Sequence, residues 1–371
     1  MMRNRFVLPL GLVALWLTAG AAAQQPPQPP QPAQPAQLPQ DALSALRAKT
    51  DLTDDERNQI RGFVADRVGE LVGPDAALAR EAGSVLRAGY AGSAPFKQAY
   101  AAACVGVFGS AFPKADVAPA ARLLTILSTL NVVEARSVFF EALQDERVGI
   151  RAAAALGLRA LRPKLAQAGG EVFMSTLATL RDAAKKERAR DTLRAIYAAL
   201  NFAEIPSPPD LKPVAAALLD VLEERAKPYA ARQDVPAVGA DDAGLAVAEK
   251  MVRALSDDER RRLTVATATL VRRAIEEYTA SDKKTVLAQV RDTDSSELVE
   301  YRNAMERLVL FGERLLVALQ SPAKPPSVLE PMKKGDKAGM KLQWKAWGDL
   351  LKPTVGQDFP LVETPEPGGG G

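Results

Sequence analysis

Residues 141–156, EALQDERVGIRAAAAL, and residues 178–193, ATLRDAAKKERARDTL, align at an offset of 37 residues. In each, a Leu (Leu143, Leu180) is followed two positions later by an Asp (Asp145, Asp182). An Arg comes six after the Asp (Arg151, Arg188), and a Leu five after the Arg (Leu156, Leu193). Leu and Ala around both segments recur at helical spacing. The unit is a helix, a tight turn and a second helix. Such a unit cannot cover its own apolar face, so neighbouring units must bury it in a continuous core.

Working outward, the same periodicity predicts further helices. Thr53-Asp54-Asp55-Glu56 has capping-box spacing and opens a helix with Ile60, Phe63, Val64, Val68 and Leu71 on one face; Gly73-Pro74 ends it. Helices follow at 76–88, 94–108, 117–130, 133–144, 148–162, 171–184 and 188–201. Ile205-Pro206-Ser207-Pro208-Pro209 reads as the clearest internal boundary. Beyond it, helices are expected from Asp210 to Val221, near 241–254, from Ser256 to Tyr278 behind a second capping box, from Ser281 to Val290, over 296–320, and over 338–351. No run of β-strands is apparent. Aromatics are only 5% of the chain, and Ala and Leu carry the apolar content, a balance that suits closely packed helices.

The Leu-x-Asp turn followed by an apolar-Arg pair resembles the HEAT repeat family over about 117–201. The match is better at Asp145 and Arg151, with Ile150 in the apolar slot, than at Asp182 and Arg188, where Glu187 occupies it. The resemblance implies an all-α, HEAT-like α-solenoid of stacked antiparallel helix pairs. It also implies that Asp145, Arg151, Asp182 and Arg188 form a structural polar ladder between repeats. A second helical bundle is expected to follow.

The expected organisation is a signal peptide at 1–23, a Pro/Gln-rich linker at 24–52, a repeat domain at 53–205, a second helical region at 206–320, and a flexible segment at 321–371 carrying one amphipathic helix. Arg3, Arg5, the apolar stretch Phe6 to Leu17 and Ala21-Ala22-Ala23 before Gln24 make a secretory signal. The alternative is an uncleaved anchor. The run from Gln24 to Gln40 carries no charge and too little apolar surface to fold, so it reads as an extended tether. Export places the protein in the periplasm or outside the cell.

There is no histidine, which excludes His-dependent triads and His-containing zinc sites. Cys104, the single cysteine, lies on an apolar stripe with Phe96 and Tyr100 and reads as a buried core residue. The acid clusters Asp54-Asp55-Glu56 and Asp257-Asp258-Glu259 sit in first helical turns and read as caps. Ser281-x-x-Lys284 and Ser321-x-x-Lys324 lack the companion motifs of penicillin-binding enzymes. Arg260, Arg261, Arg262, Arg272 and Arg273 suit ion pairing with acids on their own helix. No catalytic, cofactor-binding or metal-binding residue is assigned, and no cofactor is expected.

Without Arg3 and Arg5 the chain would carry 46 basic and 45 acidic residues, so charge supports neither nucleic acid nor an anionic membrane as the main partner. With no histidine and one cysteine, no metal is expected either. Membrane contact is expected only through an uncleaved N-terminus. Met340, Trp344, Trp347 and Leu351 form a stripe near the C-terminus; Trp344 and Trp347 are candidate partner-binding residues, with capping of the array's open end as the alternative. The reading is an exported, non-enzymatic scaffold for a protein or peptide partner. The alternatives are an accessory subunit of an exported assembly and a carboxylate-dependent hydrolase.

Overall fold

The computed structural model describes residues 40–233, 238–279 and 296–361. The expected signal peptide, most of the linker, the helix from Ser281 to Val290 with its Ser-x-x-Lys motif, and the Gly-rich tail lie outside these residues. The described chain is all-α, with 15 α-helices and no strand among the described residues.

Helix α1 is Gln40–Arg47 and α2 is Asp54–Val72, with α3 at Ala76–Ala88, α4 at Ala94–Ala111 and α5 at Val117–Leu130. Helix α6 (Arg136–Ala142) precedes α7 (Val148–Ala168), α8 (Gly170–Lys186) and α9 (Arg190–Leu200). Past the Pro-rich break come α10 (Lys212–Ala230), α11 (Asp241–Glu249), α12 (Asp257–Thr279) and α13 (Ser296–Gln320). The chain ends in α14 (Leu329–Lys334) and α15 (Lys337–Val355).

Both capping boxes form. The Thr53 hydroxyl accepts the Glu56 N–H at 3.3 Å, and Glu56 accepts the Thr53 N–H at 3.0 Å. Ser256 and Glu259 do the same at 3.4 and 2.8 Å. The two acid clusters are therefore helix starts.

Helices pack in two layers. In one, α5 lies against α7, α7 against α9, α9 against α11, and α11 against α13. In the other, α8 lies against α10, α10 against α12, and α12 against α15. Short connections pair α6 with α7, α8 with α9, and α10 with α11, and the longer connection across 280–295 pairs α12 with α13. Helix α9 sits where four neighbours meet, and Leu193, Ile196, Tyr197 and Leu200 are all buried. Close approach between helices relies on small residues. A Cβ on Gly157 would overlap the Phe139 ring, and one on Gly312 would overlap Val271.

Three expectations are corrected. Helix α1 forms inside the stretch expected to be a Pro/Gln-rich linker (24–52), past the tether expected from Gln24 to Gln40, because Leu43 and Leu46 are spaced to reach one face and are buried, with α1 packed on α4. The Ser93 N–H donates to the Arg47 carbonyl at 2.8 Å and fixes that docking. The break at 205–209 is no packing boundary: Phe202 and Ile205 are buried, and one apolar core runs from Leu43 to Phe359.

The third correction concerns the C-terminal segment, of which residues 321–361 are folded onto the array. Trp344 and Trp347 are buried, so they are not available to a partner in this fold. The Trp344 indole N–H donates to the Phe359 carbonyl at 2.7 Å, and that of Trp347 to Glu313 at 3.2 Å. Glu313, on α13, also accepts the Val328 N–H at 2.5 Å and holds the start of α14. The tryptophan stripe thus seals the last helices, the capping alternative of the two. Trp347→Ala should cost about 3–5 kcal/mol in urea unfolding, the usual loss for a large buried aromatic.

Candidate functional site

Helices α7, α9 and α11 of the α5–α13 layer each begin at an acid or close to one. Asp145 lies three residues before α7 and accepts the Arg147 N–H at 2.8 Å. Glu187 lies three before α9 and accepts the N–H groups of Arg188 and Ala189 at 2.9 and 2.7 Å. Asp241 and Asp242 are the first two residues of α11. A carboxylate there satisfies donors that the helix leaves open, and it complements the positive end of the helix dipole.

Arginine forks link these acids across the layer. Arg147 grips Asp145 at 2.7 and 2.8 Å and donates back to the Phe112 carbonyl ahead of α5 at 3.3 Å. Arg151 donates to the Asp145 and Glu146 carbonyls, both at 2.9 Å, and forms a two-pronged pair with Glu187 at 2.7 and 2.9 Å. Arg194, on α9, repeats the step by reaching Asp242 on α11 at 2.6 and 2.8 Å. Arg307 on α13 reaches the same carboxylate at 3.0 Å.

The deepest rung is Arg225 with Asp241. Both are buried, Asp241 completely. Tyr197 and Tyr229 donate their hydroxyls to the two Asp241 oxygens at 2.9 and 2.8 Å. Burial, reinforced by the Asp241 charge, pushes both tyrosines well above their ordinary range. Burial works against the Arg225 charge, but the attraction of Asp241 outweighs it. Every oxygen of this carboxylate is engaged, which leaves it no lone pair directed at a substrate.

The ladder expected from the sequence is only half right in its members. Asp145 and Arg151 are in it. Asp182 is exposed and meets Arg181, its own neighbour, at 2.9 Å; Arg188 is an exposed loop residue. The counterpart of Asp145 is Glu187. Helix α8 is 17 residues long where α6 has 7, so the Leu-x-Asp pattern that ends α6 falls inside α8. The acid that caps the next helix then comes five residues later. The sequence signal that marks the rung is an acid three residues ahead of a helix start, together with an Arg early in that helix.

Other sequence candidates are placed as follows. Burial pushes the Cys104 thiol up to about 12, so it stays protonated at neutral pH. Arg262 pairs across to Glu223 on α10, at 2.8 Å from Nε, instead of along its own helix. Arg273 pairs with Glu277 one turn on, as expected. Glu223, Lys227 and Arg262 rim a shallow groove of about 290 Å³ between α10 and α12, floored by Ala226, Val265 and Ala266. Among the described residues, no three His, Cys, Asp or Glu side chains gather as metal ligands would, and no helix is long and apolar enough to cross a membrane.

Of the large apolar residues left exposed among the described residues, four lie on helices of the α5–α13 layer, while Leu78 lies on α3, Met174 on α8, and Leu342 and Leu350 on α15. Leu156 is 52% exposed at the centre of the outward side of α7, with Val148 two turns before it at 48%. Val117 on α5 and Leu310 on α13 are also exposed. Arg122, Arg159 and Arg314, on the same helices, are also exposed, with Arg314 paired to Glu249 at 3.0 Å. Ala152, Ala198, Ala243 and Ala246 keep the intervening surface low.

No family model, no curated protein sequence and no solved structure matches the chain.

Two outcomes test the ladder. Arg225→Met strands the buried Asp241 carboxylate and should cost about 3–5 kcal/mol in urea unfolding. For Glu187, burial pushes the carboxyl up, but the Arg151 fork and the two backbone N–H donors outweigh it and hold it below its ordinary 4.5. A carboxyl lowered in the fold stabilises above its unfolded value, and that contribution fades as pH falls through the folded one. Glu187→Gln should therefore be less stable than the parent at pH 7 and should lose less stability on acidification below about 4.5, as read by thermal melts across pH.

Proposed function

We propose that the chain is a non-enzymatic scaffold whose α5–α13 layer presents an extended surface to a protein or peptide partner. The observation that carries the reading is the outward face of that layer, where Leu156 and Val148 stand exposed among alanines and arginines while the polar groups beneath are engaged in the ladder. Exposed apolar groups rimmed by arginine are the usual composition of a protein-binding surface. The sequential packing of helix pairs supports a HEAT-like solenoid. In such an array each unit touches its neighbours, and the product is a long rigid surface.

Export, through the signal at 1–23, belongs to the same proposal and sets the partner in the cell envelope. The ladder argues against catalysis by its most deeply buried carboxylate. Asp241 accepts from one arginine and two tyrosines and cannot also serve as a general base without unpairing them.

The test compares three immobilised proteins exposed to detergent-free envelope extract. These are the parent, a double variant Leu156→Glu with Leu310→Glu, and Lys185→Glu on the opposite layer as control. One polypeptide should be retained by the parent and the control and lost at least about tenfold from the double variant, since two buried apolar contacts and their desolvation are removed. Retention that is the same on all three, or none on any, overturns the proposal.

A further inference from the structure

Helix α15 has two apolar faces, and only one of them is used by the fold. Met340, Trp344, Trp347 and Leu351 point into the core. On the far side runs a second row at four-residue spacing, Ala338, Leu342, Ala346 and Leu350. Leu342 is 66% exposed, the highest value among the large exposed apolar residues, and Leu350 is 38% exposed. The adjacent row on the same helix is Lys337, Lys341, Lys345 and Asp349. An apolar ridge is thus flanked by lysines along about three turns.

The charge of this region differs from that of the rest of the chain. Residues 321–361 hold seven lysines, no arginine and four acids, a surplus of three positive charges on a chain whose total excess is also three. Elsewhere the buried pairs are made by arginine, whose fork suits fixed partners, as in Arg151 with Glu187 and Arg225 with Asp241. Lysine is a compact, hydrated charge on a flexible stem, which lies along apolar surface while its head seeks anionic groups. The local acids are largely spent. Asp336 caps α15 by accepting the Gly339 N–H at 2.9 Å, and Asp358 pairs with Lys352 at 3.0 Å. Lys334 and Lys345 reach no carboxylate among the described residues.

We infer that the outer face of α15, with the lysines of α14 beside it, docks on an anionic lipid surface. The exposed apolar row lies on a single helix, with lysines in the next row. A lipid surface requires no shape match: it supplies anionic headgroups to the lysine row and acyl chains to Leu342 and Leu350. The contact is peripheral, because the tryptophans remain in the core and only the ridge enters. It is independent of the protein-binding face on the α5–α13 layer, and it holds that face at a fixed orientation to the membrane.

The test uses the full chain with an environment-sensitive fluorophore on Leu342→Cys. Cys104 is buried with its thiol pushed up to about 12, so the label goes to position 342. Vesicles contain phosphatidylcholine alone, or phosphatidylcholine with about one-third phosphatidylglycerol, an anionic composition. Probe emission should rise and shift to the blue only on the anionic vesicles, and about 0.5 M salt should reverse it. The same label on Ser110→Cys, far from α15, should not respond. Adding Lys337→Glu and Lys345→Glu should weaken binding by at least about tenfold, since each lysine near an anionic surface contributes roughly a factor of five and the reversal adds repulsion.

Two outcomes overturn the inference. One is a probe at 342 that stays in water while the chain sediments with vesicles, which assigns membrane contact to the N-terminal apolar stretch. The other is binding that the lysine reversals leave unchanged while thermal melts show the variants folded.

Discussion

The arrangement of the helices depends on one recurrent contact: a carboxylate at the start of a helix in the α5–α13 layer that is held by an arginine from the helix before it in that layer. The carboxylate answers two needs at once. Its own helix presents unpaired N–H groups, and the preceding helix presents a guanidinium that must be matched once water leaves. Apolar burial drives the helices together, but Leu and Ala stripes slide past each other at little cost. The Arg151–Glu187 fork and the Arg194–Asp242 pair each tie a helix start to one residue of the helix before it in that layer and so favour one register. Buried ion pairs add little net stability compared with well-packed apolar groups, so setting the register is the physical use that fits them here.

This contact also explains why the chain continues unbroken through a segment that looks like a linker. Arg225, on α10, donates to the Glu187 carbonyl at 3.5 Å and locks Asp241 at the start of α11. Hairpins on the two sides of the Pro-rich stretch are therefore joined by the same type of rung as those within the first half. The prolines turn the chain; they do not divide the core.

Much of this was legible in the sequence, and the failures have distinct causes. The bounds of α3, α5 and α13 follow from periodicity and match the structure, because those helices are long and strongly striped. Both capping boxes were legible because the motif is local. Helix α1 and helix α14, at 8 and 6 residues, are too short to show a period, and their stability comes from docking. The ladder register was misread because similarity at an offset of 37 follows residue identity, while the rung follows helix ends, which shift when one helix is longer. The tryptophan stripe was legible, but not its direction. Its indole partners lie on Phe359 and Glu313, at 15 and 34 residues' remove.

The forks are distributed unevenly. Among the described residues such arginine pairs begin at Arg147 and continue to Arg314, whereas the ion pairs of the first helices, Lys49 with Glu56 and Arg67 with Glu70, are local. The carboxyl end is closed by buried indoles, and the amino end by the short helix α1. The molecule therefore has a polarity of cohesion. Fraying starts at the amino-terminal helices, and the rungs from Arg147 onward oppose its travel inward. A pull or a protease that loosens the leading helices leaves the remaining face in its geometry.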